Sequence, residues 1–202
     1  IIPYGKSNEG RELQLVFISN RKNLDNLEEV RLSHLQNSGS ISGPKNENKS
    51  IVWLSYNIHG NEASSTEAAM QVAYRMAAAQ DKETTEVLKN SIIIMYICIN
   101  PDGRDRYVYW YKSMKRLKRP SKEPQDIEHM ENWPGGRTNH YWFDVNRDWV
   151  WQVHPEARGL CHEYQKWLPQ VHVDYHEQGY NNNYFTAPVS YTHLTLPTKR
   201  IV

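Results

Sequence analysis

Cysteine is nearly absent from this sequence. The two in 202 residues, Cys98 and Cys161, cannot build a disulfide framework or a thiolate metal site. Glycine and proline number only ten each and no internal repeat appears, which excludes collagen-like, low-complexity and solenoid classes. Long apolar runs are missing: the longest, residues 92–99 (IIIMYICI), is too short to span a bilayer. A surplus of one charge sign is missing too. With 24 Lys+Arg against 23 Asp+Glu and a net charge of +1, the chain lacks the basic excess of a nucleic-acid-binding surface. The first residue is Ile1, and no basic-then-apolar leader pattern follows it.

Present instead are 23 aromatics, clustered between residues 107 and 185, and enough apolar residues for one domain with a core. Residues 12–19 (ELQLVFIS) alternate and then run apolar, as a strand does. Residues 23–35 carry a leucine/valine stripe at helical spacing. The Ser/Gly/Asn-rich stretch 36–49 reads as loop, and 50–58 (SIVWLSYNI) as a buried strand. The Ala/Met-rich segment 63–80 predicts a helix, 91–99 a central strand, 155–168 a helix opened by Pro155, and 169–175 (PQVHVDY) a short strand. Residues 100–153, aromatic and charged with little periodicity, are expected to form a long ordered functional loop. Strands alternating with helices imply an α/β fold, a three-layer αβα sandwich with a mixed, largely parallel sheet.

The chemistry collects at strand ends. His59-Gly60-Asn61-Glu62 lies between a strand and a helix, at the edge where α/β sheets build their sites. An imidazole and a carboxylate three residues apart on a tight turn reach one cation together, with Gly60 allowing the sharp backbone between them. Taken alone, the motif reads more readily as a helix start, with Glu62 complementing the helix dipole. His176 sits at the end of another strand, and adding it gives two imidazoles and a carboxylate. Three protein ligands with a fourth position open is the catalytic pattern for zinc. A helical zincin is excluded, because both His-Glu pairs, 162–163 and 176–177, lack the second histidine of HExxH. Within Asp144-Val145-Asn146-Arg147, the arginine fork and the asparagine amide suit a free carboxylate, and Asp144 suits support of a ligand imidazole. Asn100-Pro101-Asp102-Gly103 reads as a turn that shapes the site.

HGNE at 59–62, NPDG at 100–103, DVNR at 144–147 and the strand-end His176, in this order, resemble the zinc metallocarboxypeptidase family, that of carboxypeptidase A. Tyr4-Gly5-Lys6-Ser7 with Glu9-Gly10-Arg11 resembles the family's early motif, and Asp174 to Gly179 (DYHEQG) is nearest its bacterial members. The resemblance spans residues 4–188 and implies a partial catalytic domain over 1–188. It implies one Zn2+ held by His59, Glu62 and His176, with Asp144 behind a ligand histidine. It implies that Asn146 and Arg147 bind the C-terminal carboxylate of a peptide or protein substrate, and that the protein is secreted or periplasmic. The family also polarises the scissile carbonyl with an arginine after NPDG. Lys115 and Arg116 lie near that place, but the local pattern departs from the digestive members and leaves the role unassigned.

Residues 189–198 (VSYTHLTLPT) resemble translated sequencing-adapter sequence, so 189–202 is read as a non-native tail, with an edge strand at 190–196 as the alternative. The family's general-base Glu follows the third zinc ligand by many residues, and the 202-residue chain is expected to lack it and to be inactive. Two rival functions stand beside carboxypeptidase: an amidase or deacylase of the same superfamily acting on acylated amino acids or cell-wall peptides, and a non-catalytic metal- or peptide-binding module.

Overall fold

The computed structural model describes residues 1–46 and 49–178, so the 189–202 tail lies outside the described residues. The chain order is β1 (Ile2–Lys6), β2 (Glu12–Ile18), α1 (Arg21–Asp25), α2 (Leu27–Asn37), β3 (Ser50–Tyr56), α3 (Ala63–Ala78), α4 (Lys82–Asn90), β4 (Ser91–Tyr96), α5 (Pro101–Met114), α6 (Pro155–Trp167) and β5 (Val171–Tyr175). Single 3-10 turns lie at Ile127–His129 and Val145–Arg147.

The strands form one mixed sheet in the order β1-β2-β4-β3-β5. β4, β3 and β5 run parallel, while β1 and β2 add an antiparallel margin. The core strands show why three layers form. On β4, Ile92, Ile94 and Tyr96 face one side with Ile51 and Trp53 of β3, and Leu27, Val30, Ala157, Leu160 and Trp167 of α2 and α6 cover them. Ile93 and Met95 face the other side with Leu54 and Tyr56, beneath Ala69, Val72 and Met76 of α3. Side chains alternate across a strand, so a wholly apolar strand needs a helix layer on both faces.

Several elements differ from the sequence reading. Residues 101–114, expected within a long loop, are helix α5. Asn100 caps it, its side chain accepting from the Gly103 N–H at 3.0 Å, with Pro101 in the first turn. NPDG is therefore a helix start rather than a free turn. β1 is an edge strand containing Pro3 and Gly5, which hid it. α4 has no fully buried residue and carries only Val87 and Leu88 as apolar side chains, too few to mark a stripe. The stripe at 23–35 is broken at Asn26 into α1 and α2.

Asn100 is fully buried and also donates to the Arg137 carbonyl at 3.2 Å. Asn100→Ala removes the cap and strips that carbonyl of its donor. Stability is expected to fall by about 1–2 kcal/mol in urea titration, and an unchanged midpoint would refute the capping role.

Candidate functional site

The parallel strands β3 and β5 end side by side, with Tyr56 of β3 in register with Tyr175 of β5. Each then delivers its next few residues to the same sheet edge. After β3 the chain turns through Asn57, whose φ of 57° lies in the left-handed region that asparagine tolerates. The buried Asn57 amide donates to the carbonyls of His59 (2.9 Å) and Glu62 (3.0 Å), which fixes the loop carrying both side chains.

Gly60 has a different purpose from the one expected. Its φ is not in the left-handed region; instead a Cβ there would lie 2.2 Å from Arg104 N and Gly103 C, and 2.4 Å from the Gly136 carbonyl. A Cβ on Gly103 would in turn meet the Gly136 carbonyl at 2.4 Å. Three glycines thus let the loops after β3, at the start of α5 and before residue 137 touch backbone to backbone.

Glu62 is the N-cap residue of α3, yet its side chain makes no capping bond. Glu177, just past β5, accepts from the Ser65 N–H instead, at 3.1 Å. The Glu62 carboxylate turns inward: Oε1 lies 2.8 Å from His59 Nδ1 and Oε2 lies 3.0 Å from His176 Nδ1. Glu62 therefore stands at the helix start and also joins His59 to His176. One donor atom from each of His59, Glu62 and His176 falls within 4.8 Å of the others. Two imidazole nitrogens and a carboxylate oxygen suit zinc better than calcium or magnesium, which prefer all-oxygen sets.

Behind the donors, Asp144 Oδ1 lies 3.0 Å from His59 Nε2. Burial would raise the Glu62 and Asp144 pKa values and lower those of the histidines, but the hydrogen bonds between them outweigh it. Glu62, bonded by His176 and His59, is held down at about 2. Asp144, bonded by His59, is also lowered. His176 is raised to about 10 by Asp174 and Glu62, and His59 is raised by Asp144 and Glu62.

Asn146 and Arg147 flank the same edge. The Asn146 Oδ1 accepts from the Trp149 indole at 2.9 Å, and its amide nitrogen lies 3.4 Å from His176 Nε2. Arg147 is exposed and, among the described residues, gives one bond to the neighbouring Asn146 carbonyl, leaving most of its donors open there.

Sequence reasoning missed Arg137. Its guanidinium lies 3.1 Å from Asp144 Oδ2 and 3.6 Å from Glu62 Oε1, half-exposed at the mouth of the site. Arg116 instead pairs with Asp126, beyond α5. The signal available was Arg137's position after the Gly135-Gly136 pair and seven residues before Asp144. The early motif also gains a use. The buried Asp102 carboxylate accepts from Ser7 Oγ (2.6 Å), the Glu9 N–H (3.0 Å) and the Arg11 guanidinium (2.7 Å). Residues 7–11 therefore anchor the start of α5.

A family model described as zinc carboxypeptidase matches residues 1–195. This chain belongs to that family. Its fold is similar to solved structures of other members. A metallo-carboxypeptidase from Burkholderia cenocepacia shares 16% identity at a TM-score of 0.57, over 88% of this chain and 36% of that one. Carboxypeptidase A from Helicoverpa armigera shares 16% at 0.54, over 88% and 40%. A metallo-carboxypeptidase from Pseudomonas aeruginosa, in complex with (2-guanidinoethylmercapto)succinic acid, shares 16% at 0.53, over 86% and 34%. This zinc carboxypeptidase-family chain thus spans little more than a third of the length of the structures it resembles. No curated protein matches its sequence. Among the described residues, no helix is long and apolar enough to cross a membrane.

Proposed function

We propose that this chain carries the metal- and carboxylate-binding half of a zinc metallocarboxypeptidase that removes the C-terminal residue of peptides. The observation that carries the reading is the convergence of His59 and His176 Nδ1 on the two oxygens of Glu62, with an arginine open beside them. Zinc held by these three side chains would supply Lewis acidity toward a carbonyl and a water of lowered pKa. Asp144 keeps His59 Nε2 occupied, so that Nδ1 is the atom presented. Arg147, with the Asn146 amide, grips the substrate's terminal carboxylate and so presents only the last peptide bond. Arg137 faces the same space and is placed to hold the scissile carbonyl oxygen as charge develops on it.

Each carboxylate named around the site holds at least one hydrogen bond. Glu62, Asp144 and Asp174 bond to imidazoles, Glu131 to the Asn61 amide and Glu177 to a helix N–H. The expected outcome is that the 202-residue chain binds peptide ends and turns over negligibly, no general base being assigned among the described residues.

Binding isotherms of the zinc-loaded chain with an N-acyl dipeptide and its C-terminal amide test the proposal. The acid is expected to bind and the amide to bind at least about tenfold more weakly, with Arg147→Ala erasing the difference. Equal binding of acid and amide, or fast release of the terminal residue, would contradict it. Preference for an acylated amino acid cleaved at the acyl group would favour the amidase reading.

A further inference from the structure

Asp174 stands on β5 opposite Ser55, two residues before His176. Its Oδ2 lies 2.8 Å from His176 Nε2. Its other oxygen, Oδ1, is buried and has no hydrogen-bond partner among the described residues. An unsatisfied buried carboxylate oxygen costs free energy, and an apolar side chain would avoid that cost. Packing therefore does not account for an aspartate here; the imidazole is what it serves.

The arrangement repeats on the second histidine what Asp144 does for the first. His59 Nε2 faces Asp144 and its Nδ1 faces Glu62, while His176 Nε2 faces Asp174 and its Nδ1 faces the other Glu62 oxygen. An imidazole that donates Nε2–H to a carboxylate keeps its Nδ1 lone pair free and aimed. The two rings lie 5.0 Å apart, each held by its own carboxylate. We infer that Asp174 is the positioning residue for His176, fixing its tautomer and ring so that the donor set is held by two carboxylate–imidazole pairs, one from each strand end.

This rests on the metal site proposed above, and it has a consequence for Asn146. With Nε2 carrying the proton donated to Asp174, the Asn146 amide N–H 3.4 Å away cannot donate to it. That amide is thereby left free for a substrate carboxylate.

Competition titration with a zinc chelator tests the inference without any activity assay, using the full chain and its Asp174→Ala, Asp174→Asn and His176→Ala forms. Asp174→Ala is expected to weaken zinc binding about 10–100-fold. Asp174→Asn, whose amide oxygen still accepts from Nε2–H, is expected to lose less. In the zinc-loaded wild type, nitrogen NMR is expected to show Nδ1 of His176 coordinated and its Nε2 proton protected from exchange, with that protection gone in Asp174→Ala. An affinity within about twofold of wild type in Asp174→Ala, or coordination through Nε2, overturns the role of Asp174. Were Asp174→Ala to fail to fold, the wild-type NMR and Asp174→Asn would still decide. Zinc binding unaltered in His176→Ala would sink the site itself, a distinct result.

Discussion

His59→Ala is expected to abolish zinc retention, from about one ion per chain to none after dialysis. The effect should be large because His59 is a donor in the proposed site and also links Glu62 to Asp144. Without its ring, the buried Glu62 and the partly buried Asp144 lose their shared partner, at a cost in free energy. Thermal unfolding provides a second readout. Zinc at about a hundred times its Kd should stabilise the wild type by about 2.7 kcal/mol and should leave His59→Ala unmoved. Undiminished zinc content in the variant would remove His59 from the ligand set.

The same contacts set a pH window for the metal-free chain. The Glu62 carboxyl is lowered to about 2, so its contribution is complete above the ordinary carboxylate value and fades as pH falls toward 2. His176 is raised to about 10, so its contribution is complete below the ordinary imidazole value and fades as pH rises toward 10. Stability from this cluster should peak between about 4.5 and 6.5, the two unperturbed values. Zinc competes with protons for the imidazoles, so its affinity should climb with pH across the alkaline side of that window. Calorimetric scans with and without chelator would show both trends; an affinity independent of pH would contradict them.

Gly60→Ala is the second large effect. The added methyl would sit 2.2 Å from backbone atoms of residues 103 and 104, which no rotamer change can relieve. The loop must move, and His59 and Glu62 move with it. We expect a stability loss of about 3 kcal/mol or more together with weakened zinc binding. Gly10→Ala makes a useful contrast. Gly10 has φ +83° with nothing within 4 Å of the added methyl, so it should lose only the left-handed strain, about 1–2 kcal/mol, and keep zinc affinity. Equal losses in the two variants would refute close backbone approach as the reason for glycine at 60.

Much of the fold was legible because β3 and β4 are continuous apolar runs and α3 and α6 carry clear helical composition. What escaped lacked an apolar signature. α4 has no fully buried residue, β1 is an edge strand, and α5 presents polar and aromatic residues while only Asp102 and Gly103 are buried. The start of α5 was nonetheless written in Asn100 and Pro101, a cap followed by a first-turn proline. At the site, the residues read from sequence are those with two chemical roles in one short motif. Asn57 and Arg137 escaped because one acts through backbone carbonyls and the other through a partner far along the chain, which spacing does not reveal; Asp174 lies two residues before His176, inside a strand whose pattern reads as structure.

The donor set is split unevenly along the chain. His59 and Glu62 come from one short loop, whereas His176 arrives 114 residues after Glu62, just past the last described strand. The sheet sets β5 beside β3, the strand that leads into the loop with the other two donors. During synthesis, then, the metal has no three-donor site until nearly all of this region has left the ribosome and β5 has docked on β3. Metal capture would come late in folding and reward only chains with the correct strand order. Zinc uptake by nascent chains of increasing length would time the closure of the sheet.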